Sequence, residues 1–352
     1  MSEMTSYQRC MAAISWQRPD RVPVIPQNSD MAVALSGYDM VECSKDGRKL
    51  ALAMIECQER FGYDGHMMGP DAAILAEALG CPTEYRPQDP PAVSGPALEK
   101  LEDVDKLKPI NPYKDGRLPQ WLRAIQTLVE KSGEKVFIIG RADQAGFTLA
   151  ALLRGLEPFL LDIAMGEKLD LVHKLIRFTN ECHINLAKAM KEVGAHLTTC
   201  GDAFGGPSIV GPDVFRDYVF PYEKEASRII RKDIGIPYSI HICGKTDAIQ
   251  EQWVETGADV FEVDHLTDIR QLRRLSLGRT SILGNLNTDM LAAGTPQEVE
   301  TACRELFDVM LPDSGFILSS GCSMLADSKP ENLEAMVEAA RRYGAYGNGG
   351  VR

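Results

Sequence analysis

A single (β/α)8 (TIM) barrel with additional helices at its N-terminus is the fold class that this sequence predicts, and three observations predict it. Eight short apolar runs alternate with helix-period segments along nearly the whole chain. Some runs, such as KVFIIG at 135–140, are continuously apolar, as strands covered on both faces are. Polar and metal-ligating side chains collect just after the runs, where a barrel of this kind carries its chemistry. Right-handed β-α crossovers repeated in series close into a barrel more readily than into an open sheet. A doubly wound sheet is the alternative, because one sequence does not state strand order.

Taken in order, residues 6–16 form an N-terminal helix, and RPDR at 18–21 leads to the first strand, VPVIP at 22–26. A long helix over 49–61 precedes a short strand at 65–68, and the proline-rich stretch 82–96 reads as a loop or hairpin excursion. A helix at 118–132 feeds the third strand, 135–140; two or three helices then fill 147–193 before the fourth strand, 196–200. Asp213 opens a helix to about 232, and the fifth strand begins at 238. Strands at 259–263, 280–284 and 315–319 each follow a helix-period segment, and 330–343 is the last helix. The glycine-rich tail 344–352 is expected to fray, so residues 1–352 read as one domain.

Composition narrows the function. A chain of 352 residues, 44% apolar and 25% charged, has the make-up of a soluble globular protein. Its net charge of −12 argues against nucleic acid or an anionic membrane as partner. No run of about 18 apolar residues is present to span a bilayer. Residues 1–6 (MSEMTS) lack the basic and apolar regions of a secretory signal. The nine cysteines are odd in number and scattered, which fits reduced thiols, so a cytoplasmic protein is expected. Oligomeric state is left open.

The most informative stretch is YSIHICG at 238–244. Alternation puts Tyr238, Ile240 and Ile242 on one face and Ser239, His241 and Cys243 on the other, with His241 and Cys243 about 6–7 Å apart along the backbone. An imidazole and a thiol at a strand mouth can hold a borderline metal such as zinc; the plainer reading is a buried cysteine beside a hydrogen-bonded histidine. Cys322, in LSSGCSM past the eighth strand, shifts that balance. Strands five and eight face each other across a closed barrel, so one ion near the axis can take ligands from both. Three protein ligands with an open fourth position is the pattern of a catalytic zinc. Cys200 is the one competing thiol; Cys57, Cys182 and Cys303 lie in helical segments and read as core. Asp143, Asp202, Asp264, Asn285 and Asn287 also follow strands, with Asp143, Asn285 and Asn287 as candidate substrate contacts. Glu262 shares a face with Asp264 by period two. His66 is a candidate substrate contact or a loop residue, and His173 and His183 read as solvated or structural.

Several segments together carry a family resemblance: RPDRVPVIP at 18–26, GD at 201–202, GPDVF at 211–215, FPY at 220–222, HICG at 241–244, GNLN at 284–287 and SGC at 320–322. From about residue 18 to 343 the chain resembles the uroporphyrinogen decarboxylase superfamily, especially its zinc branch of corrinoid-dependent methyltransferases, such as methylcobamide:coenzyme M methyltransferases. The resemblance implies that His241, Cys243 and Cys322 hold a catalytic zinc, with Asp264, or Glu262 if the alignment slips by two, in the fourth position. It implies transfer of a methyl group between a corrinoid, carried by a separate protein, and a small molecule; Asp202 and Asp264 are then candidates to accept a proton or orient substrate, with a structural salt bridge as the alternative for each. Transfer from methylcorrinoid to a thiol such as coenzyme M is the leading expectation. Demethylation of a methyl ether or thioether onto cob(I)alamin is the alternative, and a non-catalytic corrinoid-docking subunit is a third. Uroporphyrinogen decarboxylation is the remaining one. QNSDMA at 27–32 stands where the decarboxylases carry arginines, and they do not use the His-x-Cys zinc pair.

Overall fold

The computed structural model describes residues 3–69 and 71–346. Seven strands lie side by side in one parallel sheet: β1 (Gly65–Met67), β4 (Phe137–Gln144), β5 (Leu197–Gly201), β6 (Tyr238–Ile242), β7 (Val260–Val263), β8 (Ser281–Leu286) and β9 (Phe316–Ser320). Within this sheet, spatial order follows sequence order, as repeated β-α crossovers require. β2 (Thr83–Glu84) and β3 (Ala92–Val93) pair separately as the small hairpin expected in the proline-rich stretch.

The barrel closes through residues 22–26. Val24 bridges Leu318 in parallel, the Ile25 amide donates to the Leu318 carbonyl at 3.0 Å, and the Asp64 amide donates to the Val24 carbonyl at 2.7 Å. The segment therefore touches both free edges, yet makes only an isolated bridge rather than the regular strand expected. Pro23 and Pro26 have no N–H to give a ladder.

Two layers of core follow from the alternation. Phe137, Ile139, Leu197, Val260, Leu283 and Ile317 point inward, and helix Ser6–Ile14 plugs the N-terminal end of the barrel with Cys10, Ala13 and Ile14. Asp64, 1% exposed, fastens this plug: it accepts from Ser6 Oγ, from the guanidinium groups of Arg9 and Arg21, and from the Val24 amide. The intervening residues pack outward against the helices, among them Leu169–Glu192 and Pro330–Tyr343.

The helix expected from Asp213 to 232 is less regular. It widens into π-helical turns at Phe215–Val219 and Ile229–Ile234, on either side of Phe220–Arg228. Pro221 supplies a reason for the first: it lacks an amide and crowds the preceding turn. Residues 347–352 of the expected tail lie outside the described residues.

Candidate metal centre

Sheet register decides which way the key residues face. Ser239 pairs with Val260 and His241 with Glu262, and Val260 belongs to the inner core. Side chains in register across a parallel sheet share a side, so Ser239, His241 and Glu262 all look into the barrel. Cys243 follows at the end of β6, and Cys322 comes in from the loop after β9.

The donor atoms of His241, Cys243 and Cys322 all lie within 4.8 Å of one another. Nε2 of His241 stands 3.2 Å from the Cys243 sulfur and 3.7 Å from that of Cys322. Its other nitrogen, Nδ1, is 3.0 Å from the Glu262 carbonyl oxygen. A carbonyl accepts only, so Nδ1 carries a proton, and Nε2, aimed at the two sulfurs, is the nitrogen left to bind a metal. This is the tautomer that a metal requires, with the supporting contact that usually holds it.

The thiols are electrostatically coupled. A hydrogen bond from Cys243, outweighing burial and reinforced by His241, pulls the Cys322 thiol down to about 3. That same bond, together with burial, pushes Cys243 up. Burial opposes charge on His241, but its contact with Cys322 raises it above the usual imidazole value. Without a cation, a thiolate held among donors is what balances the cluster. A soft divalent ion would replace the shared protons, so the donor set fits a metal of the zinc type.

Two local features hold this geometry. Gly244 has φ +80°, which lets the chain turn immediately after Cys243, and its amide donates to Asp264 Oδ2 at 2.8 Å. Gly321, next to Cys322, lies so close to its neighbours that an added Cβ would stand 2.6 Å from the His265 amide nitrogen. The loops bearing the two sulfurs are thus tied to the chain that follows β7.

The other expected site residues are outside the group of three clustered donors. Asp264 accepts from the Gly244 and Leu266 amides and is not among the three clustered ligands. Glu262 supports His241 through its backbone, while its carboxylate accepts from the Thr199 hydroxyl and faces Arg141 Nη1 at 3.9 Å. Asn285 donates to the Asp264 carbonyl at 3.2 Å and so borders the same loop. Asn287 caps helix Thr288–Ala293 through the Asp289 amide.

Four residues at strand ends are engaged away from the cluster. His66 lies between strand and helix, 3.2 Å from Ser132 Oγ, where burial lowers it to about 3. Asp143 has φ +58° beside a register shift in β4, accepts from the Leu75 amide at 2.8 Å, and is raised to about 7 by burial. Asp202 caps helix Gly146–Arg154 through the Thr148 amide and hydroxyl, and burial raises it to about 7 beside Glu223. Cys200 faces outward to the Tyr238 hydroxyl at 2.8 Å, which removes it as a competing ligand. His183 bridges the Ala142 carbonyl and Tyr238, and His173 meets Tyr222, so both are structural.

One interior residue escaped the sequence reading. Arg141 sits on β4, 7% exposed, two residues beyond the inner-core Ile139. The sequence carried half of the signal: period two puts Arg141 on the face of Phe137 and Ile139, and the structure makes that face the interior.

The model of the family described as Uroporphyrinogen decarboxylase (URO-D) matches residues 5–343. A methylcobamide:CoM methyltransferase of Methanosarcina mazei is 28% identical over 348 residues, covering 97% of this chain and 99% of that protein. A methylated-thiol–coenzyme M methyltransferase of the same organism is 28% identical over 350 residues, covering 97% and 90%. Among solved structures, a methyltransferase from Methanosarcina mazei superposes with a TM-score of 0.89 at 23% identity, over 97% of this chain and 100% of that one, and shares the fold.

Proposed function

This chain belongs to the uroporphyrinogen decarboxylase family, and from that premise we propose that it is a zinc-dependent methyltransferase acting between a corrinoid and a small thiol. The observation that carries the reading is the inward-facing cluster of His241, Cys243 and Cys322, with His241 oriented from behind by the Glu262 carbonyl. The names borne by its relatives, methylcobamide:CoM and methylated-thiol–coenzyme M methyltransferases, support the same chemistry.

His241, Cys243 and Cys322 would hold the zinc. When bound, zinc keeps a thiol on its open position as the thiolate at neutral pH. Two sulfur ligands leave that thiolate more electron-rich than a harder donor set would. The three ligands would present the substrate thiolate to the methyl group that a corrinoid supplies as an electrophile, and the thiol proton would pass to solvent. Asp264 acts by tying the Cys243–Gly244 turn to the loop after β7. The corrinoid arrives on a separate protein, docked over the C-terminal ends of the strands.

One observation favours a second direction. A relative named for methylated thiols points to thioether demethylation onto cob(I)alamin with the same ligands. Decarboxylation of a polycarboxylated tetrapyrrole is less well supported. Gln27 and Asn28 are buried, and their amides are engaged with the Ser320 carbonyl and the Cys57 sulfur.

The test is metal analysis combined with an assay of free methylcobalamin against a panel of thiols. About one zinc per chain and methylation of at least one thiol are expected. Zinc without any methyl transfer from methylcobalamin, or to cob(I)alamin from thioethers and ethers, would sink the assignment. Absence of zinc would favour a docking subunit.

A further inference from the structure

We propose that a cavity beside the end of β1 is a binding site for a small organic cation, a short alkylammonium held by the Asp30 carboxylate. This goes beyond the methyltransferase reading and does not rest on it.

The first argument is a shaped space. Helices Ser29–Ser36, Met40–Lys45, Gly47–Phe61 and Leu118–Ser132 meet around a cavity of about 310 Å³. That volume is at the lower end of the range for small-molecule sites. Val33, Met40, Leu50 and Trp121 supply buried apolar walls, and Pro90 and Pro91, between β2 and β3, border it as well. None of its described lining residues is a proposed metal ligand.

Charge is the second argument. Two carboxylates line the cavity, Asp30 and Asp71. The Arg117 guanidinium joins Asp71 and also holds Glu77 at 2.6 Å, so that pair is closed. Asp30, in the first turn of its helix, enters no ion pair among the described residues. Other cations on the surrounding helices are turned to other partners: Lys45 stands 4.4 Å over the Tyr85 ring, and Lys49 pairs with Glu42 at 2.7 Å. Burial, with Asp71 and Asp89 nearby, raises Asp30 to about 7. Burial also pushes the Cys43 thiol up to about 12, so it stays neutral. The site thus joins apolar walls to one uncompensated carboxylate. A carboxylate in such surroundings is costly until a cation meets it. An alkylammonium satisfies both features, because its body fills the apolar space and its N–H groups reach Asp30. The Trp121 ring adds its own attraction for a cation. An anion would be repelled, and a neutral molecule of the same shape would leave Asp30 uncompensated.

The experiment measures binding to the purified full-length protein by calorimetry at constant ionic strength. The probes share one body and differ in head group: isobutylammonium, isobutanol and isovalerate. Isobutylammonium is expected to bind at least about tenfold more tightly than isobutanol, with isovalerate weakest. At pH 7 about half of the Asp30 carboxyls carry a proton, and a bound cation favours the ionised form. Binding should therefore release about half a proton per chain, read from titrations in two buffers of different ionisation enthalpy, and affinity should fall from pH 7 to 5.5. Asp30→Asn should bring isobutylammonium within about twofold of isobutanol and remove the proton release. Val33→Phe, which keeps the carboxylate but fills the wall, should abolish isobutylammonium binding and covers the case in which Asp30→Asn does not fold. Equal binding of isobutylammonium and isobutanol by the unaltered protein, or no binding of either, overturns the proposal. So does a cation preference that survives either substitution in a folded variant, because the ligand then sits elsewhere. Zinc content and methyl transfer enter none of these outcomes, so failure here leaves the methyltransferase reading untouched.

Discussion

At the residue scale, the centre is made by one histidine whose two nitrogens have different tasks and two cysteines that share protons. Cys322 is the proposed ligand that comes from furthest away in the chain, and no regular element carries it. Cys322→Ala should reduce bound zinc from about one to a small fraction per chain, with the circular dichroism spectrum unchanged, since the inner core lies below it. Full zinc occupancy in that variant would assign the third ligand wrongly. A second prediction concerns His183, which burial lowers to about 4. Its folded value lies below the unfolded one, so its neutral form stabilises the fold above about pH 6.5, and that contribution is lost as pH falls towards 4. Between pH 7 and 4.5 the native protein should therefore lose about 2–3 kcal/mol more stability than His183→Gln does, read from urea unfolding at both pH values. Equal losses would mean that His183 does not sense this range.

At the scale of elements, the loops after β6, β7 and β9 are laced together, and Asp264 is the knot. Its oxygens hold the amides of Gly244 and Leu266, and its backbone carbonyl takes Asn285. Asp264→Asn keeps one acceptor but turns a donor towards an amide. Zinc affinity is expected to fall about 10–100-fold in chelator competition, while X-ray absorption shows the same set of neighbours around the metal. Loss of an oxygen neighbour would instead make Asp264 a ligand. Gly321→Ala tests the same lacing from the other side. The added methyl meets backbone of His265 and Leu286, which cannot swing away, so about 1–3 kcal/mol of destabilisation and weaker zinc retention are expected, although no ligand is altered. Unchanged retention would show that the Cys322 loop has slack.

At the scale of the whole molecule, the barrel is closed above by chemistry and below by an ion-pair clamp. Asp64 joins Arg9 of the plug helix, Arg21 of the linker and the Val24 amide of the closing segment in one buried group. Asp64→Ala would leave Arg9 with Asp20 as its carboxylate partner but strand the Val24 amide, and about 2–3 kcal/mol of stability should be lost in urea unfolding. A loss below about 1 kcal/mol would show that apolar packing of Cys10, Ala13 and Ile14 holds the plug without the clamp. The methyl carrier is also tested at this scale. Purified protein should lack corrinoid absorbance and act on a corrinoid supplied in trans; stoichiometric corrinoid retained through purification would contradict a separate carrier.

What the sequence by itself determined is what local chemistry can state. Period-two alternation put His241 and Cys243 on one face, the apolar runs marked the strands, and Cys322 lay past the last of them. Only the tertiary structure decided which strand-end residues join the site. Alternation says which side chains share a face, not which face becomes the interior; that is set by neighbouring strands. His66 and Cys200 accordingly turn to the helices, whereas Arg141 turns inward. Asp143, Asp202 and Asp264 read alike in sequence, yet each is committed by an amide that folding brings to it, from 68, 54 and 20 residues away respectively. Such partners are non-local, so their hold on a carboxylate cannot be read from the residues beside it. The closing segment is the same case: its prolines argue against a regular strand, and the free edges of β1 and β9 recruit it all the same.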